Sequence, residues 1–187
     1  SLPWNRHLLS NISFGHGVAV TPLQIATAYA SIANGGVLNR PYLLDKVTDP
    51  NGRLVQEKEK QSQRRVLSPE VSDEMLRMLE MVLAKGGTGA KARVPGYRVG
   101  GKTGTAQKLN PETGSYEKGA YISSFVGVIP VDSPKFVIFV AVDQPEKAYY
   151  ASEVAAPIFS SVASFSVRHH GIEPSELGTR LAQGSPK

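Results

Sequence analysis

The 187-residue sequence predicts an α+β fold in which an antiparallel sheet is covered by helices on both faces. Three observations carry that expectation. Three β-leaning segments, at about 97–108, 121–129 and 136–142, follow one another with short connections, which implies antiparallel pairing. The third, Phe136-Val-Ile-Phe-Val-Ala-Val142, is apolar at every position. With one face in water it would expose several large side chains, each worth roughly 1.5–3 kcal/mol to bury. It is therefore expected in the middle of the sheet with both faces covered. Helical patterns before and after the strands supply the cover. A central strand needs a neighbour on its far side, which this sequence does not obviously provide. The fold is expected to be incomplete here, with the neighbour upstream in a longer polypeptide.

Composition narrows the field. The chain is 41% hydrophobic and 20% charged, ordinary for a globular domain. No apolar run approaches the roughly 20 residues of a membrane span. It opens on Ser1 without a secretion leader, which reads as a piece of a longer protein. The net charge of +5 is scattered, as on a solvated surface. The mixed-sign stretch 57–65 lacks the interleaved aromatics of a nucleic-acid site, so no nucleic-acid partner is expected. Zero cysteines exclude disulfides and thiolate zinc, and are compatible with an oxidising envelope compartment. No metal and no cofactor is expected.

In chain order, His16 sits between Gly15 and Gly17, a tight turn entering a short apolar strand; the histidine is a site candidate, but a turn role is favoured. Thr21, Pro22 and Gln24 form a capping box ahead of a helix through Ala33, apolar on nearly every face and so expected to be buried; Asn34-Gly35-Gly36 ends it. Residues 37–56 read as a hairpin turning at Asp49-Pro-Asn-Gly52, and 57–65 as a loop. Ser68-Pro69-Glu70 opens a second helix with core positions Val71, Met75, Met78, Leu79, Val82 and Leu83. Gly86-Gly87 stops it. An exposed loop is expected at 110–119. A last helix, 152–170, carries Val154, Ile158, Phe159, Val162 and Phe165 on one side, with Pro157 near its start. Arg168, His169 and His170 suit its C-terminal dipole better than a metal. The domain is expected to span 1–172, with 173–187 a disordered tail.

The stretch Gly96-Tyr-Arg-Val-Gly-Gly-Lys-Thr-Gly-Thr-Ala-Gln107 admits two chemistries. It matches the phosphate-binding pattern G-x-x-x-x-G-K-[ST], and Asp143 stands where such a protein would hold magnesium. That mechanism needs a helix opening at the lysine. Glycine, threonines and the early Pro111 leave no room for one. The favoured reading keeps Lys102, Thr103 and Gly104 on a strand. Lys102 then offers a positive charge, the hydroxyls of Thr103 and Thr105 can orient a ligand, and Gly101 and Gly104 let another backbone come close.

In that reading Gly101-Lys-Thr-Gly-Thr-Ala-Gln107 resembles the K-T-G signature of the penicillin-binding proteins. Three further stretches resemble the class B transpeptidase domain: Phe14-Gly-His-Gly-Val-Ala-Val-Thr-Pro-Leu-Gln-Ile-Ala26, Ile122-Ser-Ser-Phe-Val-Gly-Val-Ile-Pro130 and Val154-Ala-Ala-Pro-Ile-Phe159. Val140-Ala-Val-Asp-Gln-Pro145 is similar to the end of its last strand. The likeness runs from about residue 11 to 177 and is nearest the cell-division (septal) type, with the elongation type second. It implies a serine D,D-transpeptidase that cross-links peptidoglycan stem peptides, is acylated by β-lactams, works with cell-division proteins and is anchored at the outer face of the cytoplasmic membrane. It further implies that Lys102 attracts the substrate carboxylate and serves the proton network. Thr103 and Thr105 would hold that carboxylate, the Thr105 N–H would be an oxyanion donor, and Gly101 and Gly104 would let the ligand strand lie alongside. Tyr149 and Tyr150 can line the cleft, although packing or surface roles fit them better.

The chain departs from the family pattern where the nucleophile belongs. No S-x-N occurs. Ser115-Tyr-Glu-Lys118 spells S-x-x-K, but it lies between Gly114 and Gly119 and cannot start the helix that would aim lysine at serine. The serine is therefore expected upstream, and this piece alone is expected to be inactive. The alternatives are a catalytically silent penicillin-binding scaffold or β-lactam sensor and, from another class, a nucleotide-binding protein.

Overall fold

The computed structural model describes residues 12, 18–57, 62–110, 112–146 and 148–175. His16, its flanking glycines and the tail beyond residue 175 lie outside them. The described elements are α1 (Pro22–Ala33), β1 (Val37–Asn39), β2 (Lys46–Thr48), β3 (Leu54–Glu57), β4 (Ser62–Arg65), α2 (Pro69–Met81), a 3-10 turn (Ala90–Ala92), β5 (Gly100–Leu109), β6 (Tyr116–Ile129), β7 (Phe136–Asp143) and α3 (Ala151–His169). The fold is α+β, with every strand pairing antiparallel.

The main sheet has the order β5-β6-β7. Among the described residues the middle strand is β6, and β7 leaves its far side unpaired, open to the neighbour expected upstream in a longer polypeptide. Two successive hairpins place the first and last strands on the margins. On β7, Phe136, Ile138 and Val140 join the core under α3, while Val137 joins the core under α1 and α2. Apolar residues at every position thus report two covered faces. β7 is half-buried along most of its length.

The core is built on β6, whose alternation matches the sequence pattern. Phe125 and Ile129 face α3, and Val128 faces α1 and α2; all three are fully buried. The Phe125 and Phe159 rings meet at 4.8 Å. Each such side chain contributes roughly 1.5–3 kcal/mol by burial. Gly127, between them in register, admits the helix: a Cβ there would lie 2.5 Å from Phe159 Cζ. That close approach rotates α3. Its buried stripe is Ala151, Ala155, Ala156, Phe159, Ala163 and Val167, whereas Ile158, Val162 and Phe165, expected in the core, are exposed. Small residues let the helix settle on the sheet, and bulky ones on the same face would hold it away.

The helix caps form as the sequence implies. Thr21 and Gln24 exchange capping-box bonds, 2.8 Å and 3.2 Å. The Ser68 hydroxyl accepts from the Val71 amide at 3.3 Å. Helix burial is a different matter. In α1 only Ser31 is fully buried, because one face (Tyr29, Ile32, Ala33) packs on the sheet and Leu23 remains 59% exposed. In α2 the buried residues are Ser72, Leu76 and Leu79, and Val71 and Met78 are exposed, so the methionine stripe is not the core face.

Residues 37–65 bear out one expectation and correct another. The predicted turn closes the β2–β3 hairpin, with the Asp49 side chain accepting from Asn51 N and Arg53 N. Yet β1 pairs with β4, inside the segment expected to be a loop. The loop expected at 110–119 is shorter, since β6 already begins at Tyr116. Near the C-terminus, the Tyr97 hydroxyl donates to Ile172 O at 2.6 Å and Ser175 Oγ donates to Asp132 at 2.9 Å.

Candidate substrate-binding margin

Lys102, Thr103, Gly104 and Thr105 all lie within β5, in extended backbone that continues to Leu109. No helix rises from Thr103, so the nucleotide-binding reading is overturned. Asp143, where that reading would place a metal ligand, pairs with Lys108 at 2.9 Å.

Among the described residues β5 is paired on one side only, with β6, so the strand is an open margin of the sheet. The Lys102 ammonium donates to the Thr103 carbonyl at 2.7 Å, which shows that this carbonyl points away from β6. In an antiparallel ladder a residue sends its N–H and C=O to the same side, and alternate residues repeat the direction. Gly101, Thr103 and Thr105 therefore present their backbone groups outward, ready for an added strand.

Side chains alternate across the strand. Lys102 starts on the face of α2, while Thr103 and Thr105 start on the face of α3. The lysine reaches the threonines only by curling round the margin, as its bond to Thr103 O shows. Gly101 is required by Phe125, whose Cζ would lie 2.5 Å from a Cβ there. Gly100 lies under α2, with Leu79 Cβ 3.2 Å from its Cβ position. A Cβ at Gly104 would meet Ser124 Oγ at 2.7 Å.

Neighbouring segments hold both hydroxyls. Thr103 Oγ1 lies 3.1 Å from Thr88 Oγ1. Thr105 Oγ1 accepts from the Ala151 amide, the first of α3, at 3.2 Å. Because Thr105 accepts there, its own proton is left to donate into the open margin. Ser123, opposite Thr105 and fully buried, donates to Tyr149 O and so fixes the segment before α3. Tyr149 stacks on Tyr121 (4.5 Å, 17°) and tilts against Tyr150 (4.5 Å, 33°), forming an exposed aromatic wall beside Thr105. The Tyr149 phenol is pushed above its ordinary value, first by its hydrogen bond to Tyr150 and next by the charge on that neighbour.

Thr88, Ser123 and Ala151 escaped the sequence reading. Two left a signal: Thr88 lies between glycines, and Ser123-Ser124 interrupts an apolar strand. Ser115 lies in the bend just before β6 and Lys118 is the third residue of that strand, so no helix sets the two one turn apart. A cavity of about 560 Å³ lies elsewhere, between the end of α2 and residues 93–99. Its polar groups are already engaged. Arg98 forms a two-pronged pair with Glu80, and Arg93 Nε donates to Leu83 O. The margin of β5, with unspent donors, is the better site.

These features define an α+β domain with one open strand edge that carries a lysine and two threonine hydroxyls. Residues 3–164 match the family model described as the penicillin binding protein transpeptidase domain, and the chain belongs to that family, in its class B branch. It is similar to Stage V sporulation protein D of Bacillus subtilis, 41% identical over 87% of this chain and 25% of that protein. It is also similar to the peptidoglycan D,D-transpeptidase FtsI of Escherichia coli K12, 35% identical over 94% of this chain and 28% of that protein. Among solved structures, penicillin-binding protein 3 from Mycobacterium tuberculosis complexed with ampicillin superposes with a TM-score of 0.80 at 32% identity, over 92% of this chain and 40% of that one. The chain spans about a quarter of the length of these curated relatives.

Proposed function

We propose that this chain is the C-terminal part of a peptidoglycan D,D-transpeptidase and supplies the wall that holds the substrate carboxylate and the oxyanion. In this reading a serine outside residues 1–187 attacks the penultimate D-Ala carbonyl of a stem peptide. The terminal D-Ala leaves with a proton, and an amine from a neighbouring strand then takes the acyl group and releases the serine. Lys102 gives the margin its positive charge and serves the proton network. The Thr103 and Thr105 hydroxyls donate to the carboxylate. The outward Thr105 N–H stabilises the developing oxyanion, a contact whose loss typically costs about 10²–10³ in rate. A Cβ at Gly101 or Gly104 would press on Phe125 or Ser124, so both glycines hold the margin close on β6, where the peptide strand lies alongside. β-Lactams, which mimic the acyl donor, take the same place, and the ampicillin complex of the Mycobacterium tuberculosis relative supports this. The name peptidoglycan D,D-transpeptidase of the Escherichia coli relative supports a place in cell-wall assembly; in this reading the whole protein works at the outer face of the cytoplasmic membrane with division proteins as partners.

The observation that carries the reading is the Lys102-Thr103-Gly104 run on an open strand margin, with Thr105 tied to α3. The test uses the longer polypeptide and a fluorescent penicillin. Thr103→Val slows acylation at least tenfold, while residues 1–187 alone give no covalent label. Normal acylation by the variant would refute the role of Thr103. An unlabelled longer polypeptide would point instead to a silent scaffold.

A further inference from the structure

Three polar side chains are buried among the described residues: Ser31, Ser72 and Ser123. The Ser31 hydroxyl turns back on its own helix and donates to Ala28 O at 2.7 Å, and Ser72 has no partner. Ser123 alone of the three reaches another element, because its hydroxyl donates to Tyr149 O. A hydroxyl in the dry middle of a sheet costs free energy that a hydrogen bond must offset. An alanine there would bury no polar atom, so the bond to Tyr149 is what the serine supplies.

Ser123 stands directly opposite Thr105. The Thr105 backbone faces outward, so the two form the closer kind of antiparallel pair, with Cα atoms about 4.5 Å apart. Serine and threonine so placed can bond to each other across the strands. Here both reach one short segment instead. Ser123 gives its proton to Tyr149 O, and Thr105 Oγ1 accepts from the Ala151 amide at 3.2 Å. The two groups they grip belong to consecutive peptide units, one on each side of Tyr150. The Tyr149 ring meanwhile stacks on Tyr121, two residues before Ser123 on the same face of β6. β6 thus holds this segment by a carbonyl and a ring, and the segment presents the Ala151 amide to Thr105.

We propose that Ser123 is a positioning residue for recognition of the substrate carboxylate. It touches no substrate. By fixing Tyr149 O it sets the Ala151 amide, that amide occupies an acceptor position on Thr105 Oγ1, and the Thr105 proton is thereby turned toward the open margin. The inference rests on the carboxylate role proposed above for Thr105. Without the Ser123 hydroxyl, Tyr149 O is left unpaired in a dry place and turns toward water, drawing the segment off the sheet. Thr105 keeps its hydroxyl but loses its aim, and the loss falls on ligands that carry the negative charge.

The test compares benzylpenicillin with its methyl ester, which lacks that charge, on the longer polypeptide. The acylation efficiency of each is read by competition with a fluorescent penicillin. Wild type is expected to prefer the free acid. Ser123→Ala lowers the efficiency for the free acid about fivefold, the worth of one hydrogen bond, and that for the ester less than about twofold, so the preference narrows. Ser31→Ala removes another buried hydroxyl and leaves the preference unchanged, whatever it does to the urea midpoint. On a Thr105→Val background Ser123→Ala has no further effect on the preference, because the hydroxyl it aims is gone. Should the alanine variant not fold, Ser123→Cys, similar in shape and a weak donor, takes its place with the same expected narrowing. A preference that neither variant changes, an equal narrowing in Ser31→Ala, or a full effect on the Thr105→Val background overturns the role of Ser123 and leaves the transpeptidase reading standing. A wild-type polypeptide that is not labelled, or that shows no preference for the free acid, overturns that reading itself, and the role of Ser123 with it.

Discussion

Thr105 Oγ1 accepts a hydrogen bond from the Ala151 amide at 3.2 Å, joining the open margin of the sheet to the first turn of α3. Ala151 is 1% exposed, so its amide depends on that hydroxyl. Thr105→Val removes the acceptor, leaving a buried donor unpaired at a cost of about 1–3 kcal/mol. Thr105→Ser keeps the oxygen. Acylation of the longer polypeptide by fluorescent penicillin is expected to fall at least tenfold in Thr105→Val and by less than threefold in Thr105→Ser. Equal rates for the two would remove the hydroxyl from the site.

Gly127 and Phe159 share one space. A Cβ on Gly127 would come within 2.6 Å of two atoms of the Phe159 ring, and that ring is fully buried. Gly127→Ala must displace it and is expected to destabilise by about 1–3 kcal/mol. Phe159→Leu withdraws part of the ring, so the double variant should lose less than the sum of the singles. Urea unfolding of the four proteins measures the coupling, and strict additivity would show that the ring does not fill that space.

The same contact explains how far the sequence was legible. Thr21, Ser68, Pro69 and the Asp49–Gly52 turn declared themselves because capping and turn chemistry are local, and each needs only its own few residues. The extended state of Lys102 was also local, because Gly104, Thr105 and Pro111 deny a helix. What failed was the choice of face. In α3 the large residues Ile158, Val162 and Phe165 follow helical spacing as well as the alanines do, and nothing local says that Gly127 invites close approach. The bond between Thr105 and Ala151 spans 46 positions, and only the folded sheet creates it.

Ser72 is 1% exposed and its hydroxyl is the one buried side-chain oxygen or nitrogen among the described residues without a partner. An unsatisfied buried hydroxyl costs on the order of 1–3 kcal/mol, and serine is also a poorer helix former than alanine. Ser72→Ala is therefore expected to raise stability by about 1 kcal/mol, seen as an upward shift of the urea midpoint with unchanged slope. A loss of stability would mean that the hydroxyl has a partner after all.

Ser68 and Glu70 make the start of α2 sensitive to acid. The Ser68 hydroxyl accepts from the Val71 amide and also hydrogen-bonds the Glu70 carboxyl. That bond, followed by one from the Glu70 amide and by the charge of Arg65, holds the Glu70 carboxyl below its ordinary value. A carboxyl depressed in the folded state stabilises it above the unfolded pKa, and that contribution is lost as pH falls through the folded one. Ser68→Ala deletes both interactions. Loss of the cap costs about 1 kcal/mol at any pH, while loss of the bond to Glu70 matters only where the carboxyl is ionised. The melting-temperature gap between wild type and Ser68→Ala should therefore be widest near neutral pH and narrow below the usual carboxylate range. It should not narrow when Glu70→Gln is the background. A gap that stays constant from neutral pH to about pH 3 would show that Ser68 acts as a cap alone.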